Sequence, residues 1–347
     1  MPVQNYENLD VNSDVTTTRT LLHEVIPLTG SILSGTYGVW PNDPNIKNYT
    51  HGMFQSVYDY PYLSSSANHI FDLTIGIDEQ SALSASANVQ GAKKINLYNQ
   101  FAQTLLGYTG STADGVRKFE NDLTLDGVGS MENCFFVSFS RLLTKDQIKK
   151  GTFSITLGTG SYVSPFAGTK RLYDVSASAT AGTTNTVGGD YGVLFQSGST
   201  TASGVVFYQA GIAVISASVF TGVTQFSSAS AGFKTVANSF KDLAISGTCD
   251  ALRRRVQNIS YNNTTEINSK IYFCRVPHNK YNYSSNPTYT NGSKIVVKEV
   301  ATDTPVSYIT TIGLYNSSNE LLATAKLSEP LKKDPANELI LRVRLDY

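Results

Sequence analysis

Four histidines, His23, His51, His69 and His278, are the side chains best suited to proton transfer near neutral pH. They are scattered. No HExxH or HxH spacing sets two of them on one face, so no metal-binding pair is encoded locally. No GxSxG elbow presents a serine nucleophile. A serine, a histidine and a carboxylate drawn from distant segments can still meet in space, which spacing does not report. The stretch from Gly158-Thr159-Gly160 to Lys170 is glycine-rich, but Gly168 is followed by Thr169 and then Lys170. It therefore lacks the GxxxxGK[ST] order of a phosphate cradle. Asp122, Thr124, Asp126 and Gly127 echo the start of a calcium loop. The twelfth position is Asn133 instead of a bidentate glutamate, so a turn is expected. The three cysteines form no CxxC pair. Cys134 and Cys274 lie in apolar runs and are expected as small buried side chains. On these grounds no catalytic, cofactor-binding or metal-binding residue is assigned.

Charge and aromatic content say more. Lysines plus arginines number 27 and acidic residues 27, so the net charge is zero and a nucleic-acid backbone is not the expected ligand. The longest basic run is Arg253-Arg254-Arg255, and Lys332-Lys333 is a second. The first is placed on a short helix that fans its charges apart, for a solvated face or salt bridges between subunits. A neutral surface also offers little protection against self-association. Among twenty tyrosines, Tyr60, Tyr62, Tyr281, Tyr283 and Tyr289 have rings able to stack on sugars. Tyrosine is equally at home in β domains and at protein interfaces, so glycan binding stands as the alternative. Tyr58 to Tyr62 is expected to be packed.

These side chains must be positioned by a mostly β fold. The chain has 347 residues, 41% hydrophobic and 16% charged, ample for a large core. Phe71, Leu73 and Ile75 alternate with Asp72 and Thr74, a strand pattern. Residues 134–142 are almost all apolar and read as a central strand. Phe153, Ile155 and Leu157 alternate again, and residues 205–219 read as one β-branched strand. A helix is predicted over 89–106, with Ile95, Tyr98, Ala102 and Leu105 inward and Lys93 and Lys94 outward. Shorter helices are predicted after Thr144, capped with Gln147 and ended by Gly151, near 233–243, and from an N-cap at Thr248 to Ile259.

Residues 1–30 read as an arm whose sticky anchor holds Leu21, Leu22, Val25 and Ile26. Residues 31–293 read as a main β-rich domain, with aromatics that include Tyr37 and Trp40 and variable loops at about 158–204 and 221–246. Residues 294–347 read as a small antiparallel meander: a strand at 295–300, a hairpin turning at Asn316-Ser317-Ser318-Asn319, and a last strand alternating Leu339, Leu341, Val343 and Leu345 with Arg342 and Arg344. The fold class is α+β, β-dominated, with a mixed or antiparallel sheet and a few helices. The first twenty residues lack a signal-peptide core, and no apolar run reaches ~20 residues. The expectation is a chain made and kept in the cytosol unless it leaves inside a particle.

The segments VYDYPYLSSSANHIFDLTIG (57–76), KKINLYNQ (93–100), FSRLLTKDQIKK (139–150), YQAGIAV (208–214) and ISYNNTTEINSKIYFCR (259–275) resemble stretches of virion structural proteins from contractile-tailed phages of marine and freshwater hosts, cyanophages included. NYSSNPT (282–288) and residues 306–327 extend the likeness over most of the chain. ITTIGLYN, ELLATAKL and ELILRVRLDY resemble the attachment domain of tail-fibre and baseplate proteins. The resemblance implies a non-enzymatic, multi-copy tail or baseplate component without cofactor. Its partners would be other virion proteins and copies of itself, with no membrane and no nucleic acid. A neck, collar or capsid-associated protein and a receptor- or glycan-binding tail protein are the alternatives. The candidate assembly contacts are Leu21, Leu22, Ile26, Tyr58, Tyr60, Tyr62, Arg342 and Arg344.

Overall fold

The structure, a computed structural model, describes residues 6–29, 43–85, 87–108, 116–124, 127–162, 166–174, 184–185, 187–284, 289–291, 294–295, 300 and 302–347. The strands are β1 (Val15–Thr29), β2 (Ile46–Asn48), β3 (Gln55–Tyr58), β4 (His69–Ile77), β5 (Asn133–Phe139), β6 (Gln147–Ile148), β7 (Ser154–Thr159), β8 (Gly168–Asp174), β9 (Thr184–Asn185), β10 (Gly189–Gln196), β11 (Ala202–Phe207), β12 (Ile212–Ser216), β13 (Val256–Val276), β14 (Thr290–Asn291), β15 (Lys294–Ile295), β16 (Ser307–Tyr315), β17 (Leu321–Lys333) and β18 (Leu339–Asp346). The helices are α1 (Gly91–Leu105), α2 (Arg141–Thr144), α3 (Val236–Asp242) and α4 (Ile245–Arg253). Strand makes up 44% and helix 14%, the β-dominated α+β class expected. The chain divides into a larger unit, Leu22–Thr265, and a smaller one, Met1–Leu21 with Glu266–Tyr347.

In the larger unit the sheet runs β7–β8–β10–β11–β12–β5–β4–β3–β2, with the first residues of β13 beside β7. The named pairings are antiparallel, as from Phe71↔Phe139 to Ile77↔Asn133. Successive side chains of a strand point to opposite faces, and here both faces are buried. Phe135 and Val137 of β5 join one core with Phe226, Phe240, Cys249 and Leu252, which lie on and around α3 and α4. Cys134 and Phe136 join the other, with Tyr98, Ala102 and Leu105 of α1. Continuous apolar strands such as NCFFVSF follow from this double burial. Gly76 lets α1 approach β4: a Cβ there would stand 2.9 Å from the Tyr98 Cα.

Several local expectations shift. The single strand at 205–219 is a hairpin of β11 and β12 turned at residues 208–211, where Gly211 takes φ 67°. The helix expected after Thr144 instead occupies Arg141–Thr144, and Gln147–Ile148 is a strand on β13. The helix at 248–259 begins earlier. The Gln90 side chain accepts from the Ile245 N–H (3.0 Å) and caps α4 from a distance. Thr248 is buried within it, donating to the Ser239 carbonyl of α3 at 2.8 Å. Val256 and Ile259 belong to β13. The glycine- and serine-rich 158–204 region, expected as long surface loops or an elaborated hairpin, contributes β8 and β10, which pair antiparallel. Tyr37, Trp40, Asp126 and residues 296–299 lie outside the described residues.

In the smaller unit β16 and β17 form a two-stranded sheet from Ser307↔Lys333 to Tyr315↔Leu321, with a bulge opposite Thr310. The last strand does not complete a meander with them. β18 pairs with β13, from Ser269↔Asp346 to Val276↔Leu339. The cause is local: Asp334 and Asn337 close a turn on each other, redirecting the chain after β17. Tyr347 exchanges both backbone bonds with Asn268, at 2.9 and 3.0 Å.

Candidate functional site

Among the described residues no group of three histidine, cysteine or acidic side chains is placed to hold a metal. Asp122 accepts from the amide and hydroxyl of Thr124, the expected turn. Cys134 and Cys249 are buried free thiols, while Cys274, expected buried, is only half-buried on β13 opposite Leu341 of β18. His23 hydrogen-bonds Asn263 O and Thr264 Oγ1, and the carbonyl of His278 accepts from Lys333. His69 does meet a serine and an aspartate. Its Nε2 lies 2.9 Å from Asp72 Oδ1, and Ser56 donates to the same oxygen. The carboxylate therefore stands between hydroxyl and imidazole, so the imidazole cannot take the serine proton, and Ser56 is buried.

The basic runs are corrected. Arg254 alone of the arginine run is exposed; Arg253 and Arg255 are buried. Arg253 pairs with Asp43 at 2.9 Å and Asp250 at 3.1 Å, and Arg254 reaches the same Asp43 oxygen at 2.6 Å. Arg255 is 0% exposed. It donates to the carbonyls of Phe226, Gly158, Gly160 and Gln225, with its guanidinium 4.6 Å from the Phe166 ring centroid. Burial lowers its pKa to about 10, still far above neutrality. Lys333 is likewise buried on Asn282 Oδ1 and the carbonyls of His278 and Asp334. Lys94, expected on the outer face of α1, is also buried. Its ammonium spends its three donors on Asn88 Oδ1 and the carbonyls of Phe240 and Leu243, and burial lowers its pKa to about 8. Arg255, Lys333 and Lys94 thus fasten backbone carbonyls, whereas Arg253 is held by carboxylates. A shallow hollow beside Arg254 is lined by Ser227, Ser228, Ser230 and Asp250, of mixed character.

Two surfaces remain. The first is the edge formed by β2, β3 and β4. Tyr58 is half-buried there, but Tyr60 (41%) and Tyr62 (36%) are exposed, contrary to the packed block expected. The proline at 61 and the turn to Asn68 hold this stretch off the sheet. Asn68 pins the loop by donating its backbone N–H and side-chain amide to Asp59, at 2.6 and 2.8 Å. Tyr62 lies 6.3 Å from Tyr58, and Tyr58 5.5 Å from His69, centroid to centroid. Tyr49, His51 and Phe54 cluster on the same edge at 4.8–5.1 Å.

The second surface belongs to the smaller unit. Both hydrophobic cores lie in the larger unit. In the smaller one, the buried hydrophobics among the described residues are Ile271, Val276, Leu314 and Val343. Ile309, Ile312, Ala323, Ala325, Leu327 and Leu331 share one face of the hairpin and stay half-exposed. Of the candidate contacts, Leu21 and Leu22 are exposed on β1 and Ile26 packs against the core of the larger unit. Arg342 and Arg344 are exposed on β18, Arg344 bonded to Asp346 and Ser269. Residue types foreshadowed these apolar strand faces. The burial of Lys94, Arg253, Arg255 and Lys333 had no local signal, because each is held in part by an acceptor from a distant segment: the carbonyls of Phe240, Phe226 and His278 for Lys94, Arg255 and Lys333, and the Asp43 carboxylate for Arg253.

No protein-family model, curated protein or solved structure matches the chain. Among the described residues no helix is long and apolar enough to cross a membrane.

Proposed function

We propose that this chain is a non-enzymatic structural subunit of a tailed-phage particle, in the tail or baseplate, acting through contacts with virion proteins and copies of itself. One observation carries the reading: the smaller unit has almost no core of its own. A two-stranded hairpin is marginal in water unless its apolar face is covered, and small domains need most of their apolar surface buried. An aliphatic face left half-open along β16 and β17 suits a subunit that completes its burial on a neighbour. The neutral charge balance opposes no such contact. The sequence resemblance supplies the kind of particle, and the likeness of ITTIGLYN, ELLATAKL and ELILRVRLDY, within residues 309–347, to attachment domains supplies the tail or baseplate placement.

The test is to purify particles of the encoding phage, identify their proteins by mass spectrometry and label them with gold-conjugated antibody against the chain. The expected result is several copies per particle with label at the tail end. A chain absent from purified particles would overturn the reading. Label on the neck or capsid would move the subunit to the alternative location.

A further inference from the structure

We propose that the outer edge of β16 pairs antiparallel with the same strand of a second copy of this chain, about a two-fold axis. The inference deepens the subunit reading by naming one neighbour, and rests on it for the copies being brought together in a particle. A strand at the side of a sheet presents unpaired N–H and C=O groups that another strand can complete. Proteins guard such edges with shortness, bulges, proline or charge, lysine above all. Among the described residues the other outermost strands are guarded. β2, β6, β9, β14 and β15 have two or three residues each. β1 carries Arg19, Glu24 and Pro27, and β18 carries Arg342, Arg344 and Asp346. β17 carries Lys326, Glu329, Pro330 and Lys332, with a break in its register beside them. β16 reads SYITTIGLY, nine residues without charge or proline and rich in strand formers. Side chains hold its two ends: Ser307 Oγ donates to the Tyr281 carbonyl, and the Tyr6 ring lies 5.1 Å from that of Tyr315. Between these ends Tyr308, Thr310 and Thr311 are exposed, and among the described residues β17 is the one strand paired with this backbone.

Charge and symmetry select the occupant. A two-fold axis sets a strand antiparallel to itself, and two-fold dimers are the commonest closed contact between identical chains. With no charge on β16, no register of that pairing opposes like charges. The same pairing of β18 about Arg342 or Val343 sets arginine against arginine. Opposed residues of an antiparallel pair lie on one face, so the half-exposed Ile309 and Ile312 of both copies bring the two aliphatic hairpin faces to the same side. A marginal two-stranded hairpin becomes a four-stranded sheet with one apolar face, enough strands to stand alone. The guarded outer edge of β17 stops the pairing at two copies. Nine residues of edge bury less than the ~1,200 Å² of a standard interface, so the dimer dissociates on dilution.

The experiment is sedimentation velocity on the purified full chain from ~1 to ~100 µM, the range of a weak contact. A reversible dimer that grows with concentration is expected. Thr310→Lys, at a position that has no partner in register on β17, should weaken it roughly tenfold or more. Leu322→Lys on β17, also exposed, should leave it unchanged. Tyr308→Cys, Thr310→Cys, Thr311→Cys and Ile312→Cys are then each oxidised with copper phenanthroline in a Cys274→Ser background. Facing Cα atoms of an antiparallel pair stand ~4.5–5.5 Å apart, within disulfide reach. Cross-linking should therefore peak at one place along the strand, where the two-fold axis passes, and fall on either side. Circular dichroism checks folding. Should Thr310→Lys fail to fold, the cysteine profile decides. A chain monomeric throughout, a dimer indifferent to Thr310→Lys, or a flat cross-linking profile would each overturn the proposal. A monomeric chain present in several copies per particle would end the pairing and leave the subunit reading standing, and a dimer absent from particles would do the reverse.

Discussion

Asp174, on β8, is 3% exposed and accepts from the Tyr208 hydroxyl at 2.6 Å and the Gly151 amide at 3.0 Å. Burial dominates and raises its pKa from an ordinary 3.8 to about 6, with the Tyr208 bond opposing. The native state therefore holds this proton more tightly than the unfolded chain. The stabilisation is fully present below about pH 3.8 and is lost as pH rises through about 6. Asp174→Asn should remove it. Wild type should gain about 2 kcal/mol relative to the variant as pH falls from 7 to 4, read from urea unfolding of both proteins at each pH. Parallel curves would show that the carboxyl ionises freely. Single residues of this kind were the least legible part of the sequence. Asp174, Lys94 and Arg255 look like ordinary surface charges in their own segments. What buries them is supplied by Tyr208, Phe240 and Phe226, tens of residues away or more.

Elements were more legible, because periodicity is a local property. The apolar run at 134–139 and the alternation at 69–77 became neighbouring strands β5 and β4, and the stripe at 91–105 became α1. The stripe's inner edge was misplaced by one residue. Leu97 and Lys94 are buried where Ile95 was expected, since a lysine counts as outward until its acceptors are known. Boundaries failed where a cap came from afar, as with Gln90 on α4. The seat of α1 gives a sharp test of the packing. Gly76 faces the Tyr98 backbone and the Phe136 ring, which a Cβ would approach to 2.9 and 2.8 Å. Neither neighbour is a flexible side-chain end. Gly76→Ala should cost about 2 kcal/mol by overpacking, measured as a lower urea midpoint at unchanged m-value. An unchanged midpoint would mean that α1 is not clamped against β4.

At the scale of the molecule, the two units differ in kind. The larger one buries both faces of its sheet and has cores built from strands, helices and aromatic pairs such as Phe101 on Phe136, 4.2 Å apart. The smaller one has strands in register but little beneath them. Local opening costs least where few apolar contacts must be broken, so the units should exchange amide hydrogens at different rates. In the free chain the amides of β16 and β17 should exchange at least a hundredfold faster than those of β4 and β5. In assembled particles, if the half-open face is covered by a neighbour, the hairpin should slow at least tenfold while β4 and β5 change little. Hydrogen-exchange mass spectrometry on the same peptides in both preparations measures this directly. Equal protection of the hairpin in the two states would mean that its apolar face stays in water in the particle, and the contact would have to be sought elsewhere, first at the exposed Leu21 and Leu22 of β1.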